Sequence, residues 1–220
     1  MKINKKILIE NKKKVIFTAG PASLLEENLS KLKPCFGRGD SEYLAVENYV
    51  LNKLLKISGQ KKIARMQGSG SLGIEIMATN LLFGSVLIID TGYYSDRIRL
   101  ITYQAKKNYK KIKKIKTVSW KNINDISNNY DWVFACSTET SCGLKIPMNS
   151  LYNLKRRTRS KLMIDATASI GLEKNHHLAD AISFSSCKGL FGLTGACFVA
   201  FSGNIENEIN SFYLNLSNHL

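Results

Sequence analysis

Apolar residues along this chain fall into short unbroken runs, separated by longer stretches in which they recur every three or four positions. Val86-Leu87-Ile88-Ile89, closed by Asp90, is the clearest run. Four consecutive apolar residues without polar alternation predict a strand buried on both faces, as in a parallel sheet. Shorter runs predict further strands at 63–66, 132–136, 162–165, 181–185 and 196–201. Between the first two strands, Leu72, Ile76, Ala78, Leu81 and Leu82 lie at helical spacing, with Gly84 as the stop. Helices are also predicted over 97–107 and 148–157. Strands alternating with helices, without a repeat or Pro-rich linker, predict an α/β fold. The expected form is a three-layer α/β/α sandwich around an open, mostly parallel sheet.

Composition narrows the class. With 44% hydrophobic and 22% charged residues among 220, the chain carries enough apolar material for a core, which excludes collagen-like, low-complexity and disordered classes. No apolar run reaches the ~18–20 residues of a membrane span. The basic N-terminus has too short an apolar stretch for a secretory signal. Five cysteines without a CxxC pair are expected to be reduced thiols, and the protein cytoplasmic.

The net charge of +15 raises the question of nucleic acid. Its densest run spans 106–116, with Tyr109 among the lysines; the remainder is scattered over Lys12 to Lys14, Lys61-Lys62 and Arg156-Arg157. Lysine far outweighs the forked arginines that read phosphate and guanine. The charge is read as a solvated basic surface, without a nucleic-acid partner.

In open α/β sheets ligands bind where strands end and helices begin. The strand ends carry Gly68-Ser69-Gly70-Ser71, Asp90-Thr91-Gly92-Tyr93-Tyr94, Ser137-Thr138-Glu139-Thr140-Ser141, Asp165-Ala166-Thr167 and Ser185-Ser186-Cys187-Lys188-Gly189. Small hydroxyls and glycines with one lysine, two carboxylates and a tyrosine pair suit a phosphate-bearing ligand that has a ring to hold. Two readings compete. Gly68-Ser69-Gly70-Ser71-Leu72-Gly73 is a literal G-x-G-x-x-G, and Asp90 closes the next strand, as in a nicotinamide-dinucleotide oxidoreductase. The loop lies some sixty residues into the chain, however, and two bulky tyrosines follow Asp90. The second reading starts from Lys188, which sits in an apolar, glycine-rich setting where a lysine becomes nucleophilic toward an aldehyde. Asp165, ending an earlier strand, would hold a pyridinium nitrogen protonated. Lysine, aspartate and a phosphate-binding helix start form the set that pyridoxal phosphate requires.

The sequence resembles the class V aminotransferases of fold type I, nearest to the 2-aminoethylphosphonate–pyruvate and alanine–glyoxylate branch. Phe17-Thr18-Ala19-Gly20-Pro21 looks like that family's T-P-G-P, and Arg38-Gly39-Asp40-Ser41-Glu42-Tyr43 resembles R-D-x-E-F. Gln67-Gly68-Ser69-Gly70-Ser71 with Glu75 is similar to the phosphate-cup motif. Gly92 to Arg97, Glu139-Thr140-Ser141-Cys142-Gly143, Asp165 to Gly171 and Ser185 to Leu190 follow in the family's order. The resemblance implies that Lys188 forms the Schiff base and shuttles the proton, and that Asp165 pairs with the ring nitrogen. It implies that Ser69, Gly70 and Ser71 receive the phosphate, Tyr94 stacks on the ring, Ser141 bonds near the ring hydroxyl, and Thr167 and Cys187 line the pocket. It further implies amino-group transfer from a small amino acid or aminophosphonate to a 2-oxo acid, and a homodimer.

Departures qualify this. Residues 1–205 correspond to the family's large domain and 206–220 to the start of a connection. By this resemblance, the family's small C-terminal domain, with its carboxylate-gripping arginine, and the Thr-rich segment that reaches a neighbouring subunit's phosphate are expected to lie outside these 220 residues. Cys187 stands where relatives have His, Gln or Asn. Arg38 and Arg97 are structural candidates only. A catalytically weak cofactor binder and a cofactor-free basic interaction protein remain alternatives. His176-His177 lacks ligands at zinc spacing, so no metal is expected. Cys136, Cys142 and Cys197 are read as small buried residues, and Trp120 and Trp132 as packing residues.

Overall fold

The computed structural model describes residues 20–22, 28, 37 and 39–220. The motif residues Phe17, Thr18, Ala19 and Arg38, and the run Lys12 to Lys14, lie outside them. In chain order the elements are α1 (Ser41–Ser58), β1 (Lys62–Gln67), α2 (Gly70–Leu81), β2 (Gly84–Asp90), α3 (Tyr93–Tyr109) and β3 (Ile112–Ser119). They continue with β4 (Trp132–Cys136), the two-residue strands β5 (Thr138–Glu139) and β6 (Leu144–Lys145), α4 (Met148–Arg157), β7 (Lys161–Asp165), β8 (Ala181–Ser185) and β9 (Ala196–Phe201). Seven strands form one sheet in the order β1-β9-β8-β7-β4-β2-β3; β5 and β6 make a separate hairpin. Only β9 runs against its neighbours β1 and β8; the other pairings are parallel.

Side-chain alternation divides the core into two layers. Val86, Ile88, Phe134, Met163 and Val199 face one side, packed against Ile76 and Met77 of α2 and Ile98 and Ile101 of α3. Leu87, Ile89, Val133, Leu162, Ile182 and Phe184 face the other, against Leu151 and Leu154 of α4 and Leu54 of α1. This is the expected three-layer α/β/α sandwich.

Two elements depart from the sequence reading. The lysine run contains β3, an edge strand parallel to β2, whose lysines point to solvent and discourage further strand pairing. Tyr109, the aromatic of that run, ends α3 and packs against the core, which removes it as a base-stacking residue. Helix α1 escapes the apolar pattern, because its apolar residues do not form one buried stripe: Leu54 is its one buried apolar side chain, whereas Val46, Tyr49 and Ile57 are exposed.

Part of 206–220, the expected start of a connection, packs on the sheet domain. Asn80 of α2 donates to the Leu214 carbonyl (2.7 Å) and accepts from the Leu216 N–H (2.9 Å), with Leu216 fully buried. Cys142 is exposed, not buried: the turn after β5 leaves its sulfur at the surface, 3.4 Å from the Thr91 carbonyl. Trp132 is buried, and Trp120 is partly exposed. No helix among the described residues is long and apolar enough to cross a membrane.

Candidate active site

The C-terminal ends of β1, β2, β4, β7 and β8 share one edge of the sheet, and the loops after β1, β4, β7 and β8, with the first turns of α2 and α3, enclose a cavity of about 210 Å³. Its lining brings together Ser69, Gly70, Ser71, Tyr94, Asp165, Thr167, Cys187 and Lys188 of the predicted set. Ser141 stands beside the start of α3, where its hydroxyl accepts from the Tyr93 N–H (3.4 Å). Its amide and hydroxyl both donate to the Glu139 carboxylate, and its neighbour Thr140 lines the cavity.

At one end, Ser69 caps α2 in an extended conformation and makes no side-chain capping bond. The first-turn N–H groups of a helix have no intrahelical acceptors, so the positive end of the helix faces the cavity. Gly70 is required here, because a Cβ would stand 2.8 Å from the Thr167 hydroxyl. That hydroxyl is buried beside the Asp165 carboxylate, whose pKa it helps to hold down.

Lys188 lies in the β8–β9 connection. Its Nζ is 3.4 Å from both the Tyr94 and Thr140 hydroxyls and 4.5 Å from the centre of the Tyr94 ring. The turn is held tightly. Phe191 adopts φ 52°, uncommon for a bulky residue, and its N–H donates to the Lys188 carbonyl (2.9 Å). Gly189 has no room for a side chain, because a Cβ would collide with the Ile170 carbonyl oxygen. Gly20 lies against the aliphatic stem of Lys188, and the Ala22 N–H donates to the Cys187 carbonyl (2.8 Å).

Asp165 ends the β7 strand and is 4% exposed. Burial raises its pKa above the ordinary carboxylate value; Thr167 and the Lys188 charge work against that, and the Glu139 charge adds to it. The Thr167 N–H donates to its Oδ1 (3.0 Å). A buried carboxylate held above its usual range favours a cationic partner that delivers a proton. Burial, followed by the Asp165 charge, keeps the Cys136 thiol protonated, and burial pushes Cys197 up to about 11, so neither is a ready nucleophile. His176 is buried and bonded to the Ser169 hydroxyl (2.9 Å). Among the described residues no group of three His, Cys, Asp or Glu could hold a metal.

Glu139 and Arg97 stand in the matched motifs, but the resemblance implies no site role for either. Fully buried Glu139 accepts from the Tyr94 N–H (3.0 Å), the Ser95 N–H (3.3 Å) and the Thr91 hydroxyl (3.2 Å), so it caps α3 and thereby fixes the Tyr94 ring. Glu139→Ala leaves these donors without their acceptor, and a loss of about 3 kcal/mol in unfolding free energy is expected by urea titration. Arg97 lines the cavity and donates to the Ser71 hydroxyl (2.7 Å).

The dinucleotide reading is not supported by this topology. In that arrangement the glycine-loop strand and the acid-bearing strand are close neighbours. Here β1 and β2 are five strand steps apart, about 24 Å at the usual spacing. Asp90 instead accepts from Ser95 (3.1 Å).

No protein-family model matches the chain. The 2-aminoethylphosphonate–pyruvate transaminase of Pseudomonas aeruginosa is 24% identical over 203 residues, covering 84% of this chain and 53% of that protein. Among solved structures, an aspartate aminotransferase of Thermus thermophilus superposes with a TM-score of 0.75 at 22% identity, covering 90% of this chain and 60% of its own. An alanine–glyoxylate aminotransferase of Nostoc sp. also gives 0.75, at 18% identity, with coverages of 90% and 58%. The chain spans about half the length of the curated relatives it matches. The fold is one shared with these aminotransferases.

Proposed function

We propose that this chain is the cofactor-binding large domain of a pyridoxal-phosphate-dependent class V aminotransferase, moving an amino group from a small amino acid or aminophosphonate to a 2-oxo acid. One observation carries the reading: a lysine amine, a buried carboxylate and the open N-terminus of α2 converge on a single cavity. The residues fit the cofactor. Ser69, Gly70 and Ser71 supply donors for its phosphate in a cradle that a Cβ on Gly70 would crowd, Thr167 lines the pocket, and Tyr94 offers a ring face. When bound, pyridoxal phosphate supplies an aldehyde and a ring that withdraws electrons once its nitrogen is protonated. Asp165 would hold that proton at the ring nitrogen. Lys188 would provide the amine that bonds the aldehyde and, when freed, the base that moves a proton. Tyr94 and Thr140 keep the amine oriented.

A homodimer and a cytoplasmic location belong to the same reading. The exposed Val46, Tyr49 and Ile57 of α1 support the first, and the free thiols Cys136, Cys142, Cys187 and Cys197 support the second. The test is to load the protein with pyridoxal phosphate, remove the excess, and add single amino donors. Visible absorbance should appear on loading and fade with a donor, with release of the matching 2-oxo acid. Protein that stays colourless after loading would sink the proposal.

A further inference from the structure

Arg97 lies on α3, away from the predicted phosphate cup, yet its guanidinium reaches across to the first turn of α2. Nη1 donates to the Ser71 hydroxyl (2.7 Å) and Nη2 to the Tyr93 hydroxyl (3.1 Å). The group also lies 5.2 Å and 5.5 Å from the ring centres of Tyr93 and Tyr94. Two stacking contacts and two hydrogen bonds preorganise it, so little side-chain freedom is left to lose on binding a ligand.

Charge balance gives this position a purpose. The only cations lining the cavity among the described residues are Lys188 and Arg97, and the lining also carries the Asp165 carboxylate. A phosphate monoester brings close to two negative charges, whereas a helix N-terminus offers roughly half a positive one. Lys188 is committed to the carbonyl end of the ligand. That leaves Arg97, whose planar fork suits phosphate oxygens.

Resting on the function proposed above, we infer that Arg97 is the cation of the phosphate-binding end, acting with Ser71 and the α2 N-terminus. It makes the cavity selective for a phosphorylated pyridoxal over the unphosphorylated one. The test is titration of the full chain and its variants with pyridoxal phosphate and with pyridoxal, followed by absorbance, with inorganic phosphate as competitor. Arg97→Gln should weaken pyridoxal phosphate about 10- to 100-fold, the range for losing a charged hydrogen-bonding group, and pyridoxal by less than about threefold. Arg97→Lys, which keeps the charge but not the fork, should fall between. Inorganic phosphate should compete in the wild type and much less in Arg97→Gln. Equal weakening of both ligands, or a change only in amino-donor KM, would overturn the inference. Should Arg97→Gln fail to fold by circular dichroism, the same ligand ratio in Arg97→Lys decides. Wild type that binds both ligands alike overturns the role of Arg97 alone; wild type that binds neither overturns the proposed function with it.

Discussion

Replacing Lys188 with alanine is expected to lower amino transfer by roughly 10⁴-fold, because one amine serves as both nucleophile and base. The fold should persist. Lys188 is half-buried, its Nζ makes only two long contacts at 3.4 Å, and the turn is held by backbone bonds and by Gly189 against Ile170. A melting temperature close to wild type, with transfer lost and no visible absorbance on loading, is the expected outcome. The same variant removes the charge that draws the Asp165 pKa down, so that carboxyl should titrate at higher pH than in the wild type. Carbon-13 chemical shifts of the aspartate side chain would show it.

Asp165→Asn is the second large effect, with opposite signs for stability and activity. In the free protein, burial raises the Asp165 pKa above the ordinary value of 3.8. A raised folded-state value contributes stability that is fully present below the unfolded value and lost as pH rises through the folded one. As pH rises through that raised value the ligand-free wild type loses stability that the uncharged amide of the Asp165→Asn variant keeps. The variant should melt higher, and the difference between the two proteins should widen as pH increases from about 4. Activity should fall about 100-fold or more, since an amide cannot hold the ring nitrogen protonated. Pyridoxal phosphate should stabilise the wild type more than the variant. Equal melting curves at every pH would show that Asp165 is not strained by burial.

Several strand ends were legible in the sequence because the signal there is local. A continuous apolar run ending in Asp165, and a glycine-rich turn around Lys188, announce themselves without knowledge of the fold. Helix α2 was legible for the same reason, with glycines before it and helical spacing within it. What escaped depends on tertiary geometry. Strand β3 places apolar residues at Ile112, Ile115 and Val118, a spacing of three that neither a strand nor a lysine-rich helix explains. It is a strand because it pairs with β2 at the sheet edge. Thr140 escaped because only the fold brings the turn after β5 within 3.4 Å of the Lys188 amine. Arg97, named in a motif without a role, gains one only once α3 is seen crossing beside the start of α2.

The most direct measurement is borohydride reduction of the protein loaded with pyridoxal phosphate, followed by digestion and mass spectrometry. Reduction turns a lysine–aldehyde linkage into a stable amine, so the mass of the attached group marks the lysine that held it. One predominant label is predicted, on the peptide containing Lys188, and absent from the same peptide in Lys188→Ala. Label spread over the exposed lysines of 106–116, with Lys188 unmodified, would contradict the account.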